Sequence, residues 1–173
     1  MFMKGEGYSL WLMPSGEIRD KFSSLIRRLA LEYGAPMFEP HVTLLGGITL
    51  SEEDVLRKTE KLVSGQSDFK VTLQVVDCQN YYFRALFVKA EKTPLLQVLY
   101  DRAREIFGVQ DIPDYLPHLS LVYGDFLQAI KEQMIQGVGR SQTAEFTVDR
   151  VHLFKTDGEV DTWYRMKEFP FRP

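Results

Sequence analysis

One segment of this chain occurs twice. Pro40-His41-Val42-Thr43-Leu44-Leu45-Gly46-Gly47 is echoed by Pro117-His118-Leu119-Ser120-Leu121-Val122-Tyr123-Gly124, an offset of 77 residues (118 − 41). A duplicated segment constrains architecture strongly, because each copy brings a unit of the same element order. The same offset places Phe69 on Phe146, Val71 on Val148, and the strand at Leu10 on the strand at Phe87. Hydrophobic periodicity between these points reads β-α-β-α-β and then β-α-β-α-β-β. The expected arrangement is two halves, about residues 8–76 and 85–153, with a closing C-terminal strand. No Pro-, Gly- or Ser-rich linker separates them, so residues 1–173 are expected to form one bilobal domain.

Strands are expected at Tyr8–Met13, His41–Leu45, Phe69–Val76, Tyr82–Lys89, His118–Tyr123, Glu145–Phe154 and Thr162–Phe169. Helices are expected from Glu17 to Tyr33, after Ser51 to Val63, after Thr93 to Phe107, and from Phe126 to Ile135. Ser15, Ser51 and Thr93 stand where side chains cap helices, and Gly34 stands where the first helix must stop. Gly46-Gly47 has no Walker pattern after it and is expected to let the chain leave its strand.

In a strand, residues i and i+2 share a face. His41 and Thr43 therefore point one way and Val42 and Leu44 the other; His118 and Ser120 oppose Leu119 and Leu121 in the same manner. The apolar faces can bury against helices. A pseudo-two-fold axis would then bring two imidazole–hydroxyl pairs together across a cleft. Neutral imidazole takes a proton from water, imidazolium gives one to a leaving alkoxide, and histidine does either near neutral pH. Hydroxyls can donate to phosphate oxygens where charge builds. This set suits hydrolysis of a strained cyclic phosphodiester and requires no metal.

Charge agrees. Lys and Arg total 21 against 24 Asp and Glu, a net charge of −3, so nonspecific nucleic-acid binding is not expected and a phosphate must be met locally. The single cysteine, Cys78, excludes an internal disulfide and fits a reducing, cytoplasmic setting. The apolar stretch Leu10–Met13 is too short for a signal peptide, and no membrane association is expected.

The paired H-x-[ST] motifs resemble the 2H phosphoesterase superfamily. The contexts Tyr8-Ser9-Leu10-Trp11, Pro40–Leu44 and His118–Gly124, with the closing segment around Trp163, resemble its cyclic phosphodiesterase branch, similar to the plant and yeast enzymes. The resemblance runs over nearly the whole chain. It implies an α+β, bilobal fold of two antiparallel sheets with outer helices around a central cleft. It implies hydrolysis of nucleoside 2′,3′-cyclic phosphates to 2′-phosphates, and of ADP-ribose 1″,2″-cyclic phosphate to ADP-ribose 1″-phosphate. His41 and His118 are then catalytic, Thr43 and Ser120 phosphate-binding, and Trp11 and Tyr123 substrate-binding. Strict alternation sends Tyr123 to the Leu119 face, so it reaches the cleft only if the strand ends or bulges before Gly124. Plant members carry a cysteine-linked loop that a chain with Cys78 alone does not share.

The expected mechanism is in-line attack by water, with His118 as base and His41 as acid. No cofactor is implied and no metal. The expected partner of this monomer is a small cyclic phosphate nucleotide. Two alternatives stay open: a 2H enzyme acting on RNA ends or 2′,5′ linkages, and a nucleotide- or RNA-binding module without turnover. Trp11 is either a cleft aromatic stacking on a base or a residue between the lobes. Tyr81, Tyr82, Phe83 and Arg84 are either sheet packing or a base platform with a cation beside it. His152 lacks a hydroxyl two residues on and is expected to be an ordinary strand residue.

Overall fold

Alternating apolar residues make the strands of this chain, and helices with one apolar stripe cover them. The computed structural model describes residues 3–110 and 114–173. In chain order the elements are β1 (Tyr8–Leu12), α1 (Gly16–Tyr33), β2 (Val42–Ile48), α2 (Glu52–Val63), β3 (Phe69–Asp77), β4 (Leu86–Ala90), α3 (Pro94–Phe107), β5 (His118–Val122), α4 (Gln128–Val138), β6 (Ser141–Val148), β7 (Arg150–Lys155) and β8 (Tyr164–Pro170). α1 buries Phe22, Ile26, Leu29 and Ala30 and stops at Gly34, whose φ of 66° suits a residue without a side chain. The Ser51 and Thr93 hydroxyls accept from the Asp54 and Leu96 amides, as caps should. Ser15 precedes α1 without such a bond.

The fold is α+β, and every strand pairing is antiparallel. The strand order is β6-β3-β4-β5-β2-β1-β7-β8. Two four-stranded arrays thus meet at β5 and β2, where Val42 faces Leu119. Those two residues are 77 apart, the offset of the repeated segment. An antiparallel pair in which a residue faces its own counterpart carries a local two-fold axis between them. His41 and Thr43 flank one side of that axis, His118 and Ser120 the other.

Each half gives a strand to the other. β3 follows β2 in sequence but pairs with β4, while β7 pairs with β1. The helices interleave the halves as well: α1 packs on β5 and α3 on β2. One continuous cluster of buried side chains, from Leu10 and Phe22 to Leu119 and Leu153, therefore spans both arrays.

Four expectations are corrected. β2 does not end at Gly46-Gly47 but runs through them to Ile48: Tyr8 faces Ile48 while Leu10 faces Leu45, a bulge that Gly47 makes with φ at 66°. The strand expected from Tyr82 starts at Leu86. Tyr82–Arg84 form a 3-10 turn instead, because Tyr82 buries against Tyr123 and Val160 and the Phe83 carbonyl is taken by the Ser120 hydroxyl. The segment expected as one strand from Glu145 to Phe154 is cut at Asp149, since β6 pairs with β3 and β7 with β1. Phe69 and Phe146 are not counterparts: about the centre of the sheet β3 corresponds to β7 and β6 to β8, while β3 and β6 pair with each other, Phe69 facing Val148 and Val71 facing Phe146.

Candidate active site

Side chains from both arrays line one cavity of about 460 Å³. Ser9, Trp11, His41 and Thr43 come from one half, and Arg84, His118, Ser120 and Tyr123 from the other. Antiparallel register about the Val42–Leu119 pair turns His41 towards the Ser120 side and Thr43 towards the His118 side. Val42, Leu44, Leu119 and Leu121 point away into the core, as strand alternation requires.

The two imidazoles are wired alike. His41 Nδ1 lies 2.6 Å from the Glu39 carbonyl, and His118 Nδ1 lies 2.7 Å from the Leu116 carbonyl. A carbonyl only accepts, so each Nδ1 carries its proton, and each neutral ring keeps its lone pair on Nε2. Burial holds both well below the ordinary histidine value. His41 falls to about 3, opposed by the Glu39 carbonyl and helped down by His118. His118 falls to about 4, with the Leu116 carbonyl opposing and the Arg84 charge adding to the fall.

Their aromatic surroundings differ. Trp11 lies flat on His41, with ring centroids 3.5 Å apart and planes 3° from parallel. Phe154 covers the opposite face of Trp11 at 3.7 Å. Both faces of the indole are therefore occupied, and Trp11 offers the cavity its edge rather than a stacking face. Its Nε1 donates to Ser9 Oγ at 2.7 Å. Trp11 faces Thr43 as Phe87 faces Ser120, and Phe87 meets His118 edge-on at 5.1 Å and 65°.

Tyr123 lies just past the end of β5, released from strand alternation. It stacks on Phe38 at 3.8 Å and meets Phe83 edge-on. Burial pushes its hydroxyl up, and the Ser120 side chain opposes this. Gly124 follows with φ at 150°, and its amide donates to the Tyr82 carbonyl. The Ser120 hydroxyl donates to the Phe83 carbonyl at 2.9 Å.

Sequence reasoning missed Ser9, which period-two alternation with Trp11 would have placed on this face. It also missed Phe38, which sits in a loop with no periodic signal. His152 stands apart from the cavity, opposite Trp11 and Glu168 in the register of β7. Its Nδ1 has no hydrogen-bond partner, and burial lowers it to about 4. Among the described residues no three His, Cys, Asp or Glu side chains gather as a metal site, and no helix is long and apolar enough to cross a membrane.

A family model described as cyclic phosphodiesterase-like protein matches residues 6–170. The chain belongs to that family. It is 26% identical over 168 residues to a cyclic phosphodiesterase of Arabidopsis thaliana, covering 93% of each chain. It is 29% identical over 190 residues to a 2′,3′-cyclic-nucleotide 3′-phosphodiesterase of Phaeosphaeria nodorum, covering 94% of this chain and 97% of the relative. Two solved structures share its fold. TT0787 of Thermus thermophilus superposes with a TM-score of 0.63 at 18% identity, over 96% of this chain and 98% of the other. Escherichia coli LigT complexed with 3′-AMP gives 0.61 at 16% identity, over 99% and 100%.

Proposed function

We propose that this protein hydrolyses nucleoside 2′,3′-cyclic phosphates to 2′-phosphates, and ADP-ribose 1″,2″-cyclic phosphate to its 1″-phosphate, without a metal. The observation that carries this reading is the pair of Nδ1-anchored imidazoles aimed into one cavity beside two hydroxyls. The names of the Arabidopsis and fungal relatives agree with it.

His118 is the base. It takes a proton from water as the water oxygen bonds to phosphorus, and the P–O3′ bond opposite breaks. His41 is the acid and gives its proton to O3′, leaving the phosphate on O2′. One water is consumed, and solvent resets both rings. Two local features support this division. The face of Trp11 favours a charged imidazole on it, and the Arg84 cation disfavours charge on His118. The deeper burial of His41 works the other way and holds it at about 3 against about 4 for His118, so this division requires the bound phosphate to raise His41 the more. Thr43 and the Ser120 hydroxyl, once turned from the Phe83 carbonyl, donate to the non-bridging oxygens. Tyr123 holds Ser120 and the substrate's sugar side.

EDTA-treated protein incubated with 2′,3′-cyclic AMP, ADP-ribose 1″,2″-cyclic phosphate and a short RNA with a cyclic end tests the reading, with phosphorus NMR reporting which oxygen keeps the phosphate. His41→Ala and His118→Ala are each expected to lose about 10²–10⁴-fold in kcat. A single variant that keeps most of its turnover overturns the mechanism. Binding without hydrolysis of any of the three overturns the enzyme.

A further inference from the structure

Arg84 is left over by the mechanism above. Its guanidinium lines the cavity with both histidines, lies 4.8 Å over the Tyr81 ring, and has no carboxylate partner among the described residues. The residue is half-buried, so its guanidinium keeps access to the cavity and to solvent and is free to receive an anion. The reacting phosphate is not that anion: its two non-bridging oxygens are met by Thr43 and Ser120, and its leaving oxygen by a histidine. Tyr81 is exposed at the mouth of the cavity, so the guanidinium stacked on it stands outward of the histidine floor. Lys4 lines the same cavity as a second cation, with Glu6 as an acid beside it.

We infer that Arg84, braced on Tyr81, is a second anion subsite that receives a phosphate on the 5′ oxygen of the nucleotide whose cyclic phosphate lies between the histidines. The inference rests on the proposed function for the position of the first phosphate. The planar fork of arginine suits two oxygens of such a group. The 5′ phosphate has two sources: a small nucleotide phosphorylated there, as ADP-ribose 1″,2″-cyclic phosphate is on its 5″ oxygen, or the internucleotide link of an RNA end.

Binding decides this independently of turnover. Calorimetry on the full chain compares adenosine 2′-phosphate, adenosine 2′,5′-bisphosphate and the dinucleotide ApA carrying a terminal 2′-phosphate. The wild type is expected to bind one or both 5′-linked ligands at least about tenfold more tightly than the monophosphate. A gain with the bisphosphate assigns the subsite to small nucleotides, and a gain with the dinucleotide alone assigns it to RNA ends. Arg84→Met is expected to bring the ratio close to one, with Arg84→Lys intermediate, and Tyr81→Ala to reduce it. Equal wild-type affinities for all three ligands overturn the inference whatever the variants do. So does a ratio that survives in Arg84→Met. Hydrolysis of 2′,3′-cyclic AMP, assayed in parallel, judges the functional reading separately, because its absence leaves the binding ratio as informative as before.

Discussion

Trp11 separates two roles that aromatic residues play in nucleotide sites. Its faces are taken by His41 and Phe154, so in the proposed mechanism its part is to hold an imidazole in place and to ease charge onto it. Aromatic contacts of this kind are worth about 0.5–1.5 kcal/mol. Trp11→Leu is expected to lower kcat about tenfold with little change in KM, and to move the alkaline limb of the pH–rate profile to lower pH as the acid loses its stabilising face. Steady-state kinetics across pH checks this; a raised KM with kcat intact would instead make Trp11 a base-binding residue. The histidines and hydroxyls were legible in the sequence because strand period fixes which side chains share a face. The job of Trp11 was not: alternation puts a ring on a face but does not say which ring lies against it. Arg84 stood out in the sequence beside three aromatics, yet only the folded structure shows it unpaired among the described residues.

Elements decide how the cavity walls are held. Lys131 of α4 is almost wholly buried, and its ammonium donates to the Gln79 carbonyl at 3.1 Å and to the Asn80 side chain. It thereby ties the turn before Tyr81–Arg84 to the helix layer. Lys131→Met keeps the aliphatic volume but removes two hydrogen bonds from a charged donor, a cost of about 1–3 kcal/mol. The expected result is a thermal midpoint lower by roughly 2–12 °C, with weaker binding of 5′-phosphorylated ligands following from a looser Arg84. An unchanged midpoint would show that the turn is held by its backbone bonds alone, such as Gln79 N to the Arg84 carbonyl. Most helices and strands were legible because their apolar periodicity is local. The exchange of β3 and β7 was not, because strand partners far apart in sequence leave no local mark. The 3-10 turn at Tyr82 escaped for a related reason: its aromatic run favours a strand until long-range partners, Tyr123 and Val160, claim the side chain.

At the scale of the whole molecule, burial of neutral histidines links folding to pH. His41, His118 and His152 are lowered to about 3, 4 and 4, whereas an unfolded chain protonates them near 6.5. Between those values the unfolded state binds more protons, so stability is full above about pH 6.5 and falls as pH drops towards 4. Thermal melts from pH 8 to pH 4 are expected to show that decline, and His118→Asn to flatten part of it. A flat profile over this window would mean that the rings are more solvated than their packing indicates.

The same burial sets a requirement on catalysis. The cavity presents two Nε2 lone pairs, yet the mechanism needs one protonated ring, so a proton must arrive with the substrate. The phosphodiester brings a negative charge that favours imidazolium, and the face of Trp11 directs that proton to His41. Single-histidine variants isolate the event, because they hold 2′,3′-cyclic AMP without turning it over and the ligand's phosphodiester has no ionisation near pH 7. His118→Ala is expected to take up a measurable fraction of a proton per ligand bound, rising as the pH is lowered from 7 towards 5 because His41 starts from about 3, measured by calorimetry in buffers of different ionisation enthalpy. His41→Ala is expected to take up less, because no ring lies flat on His118, which Phe87 meets only edge-on. Uptake by His41→Ala and none by His118→Ala would exchange the acid and base. Uptake by neither would mean that the leaving oxygen receives its proton from outside the pair, and the two-histidine scheme would fail with it.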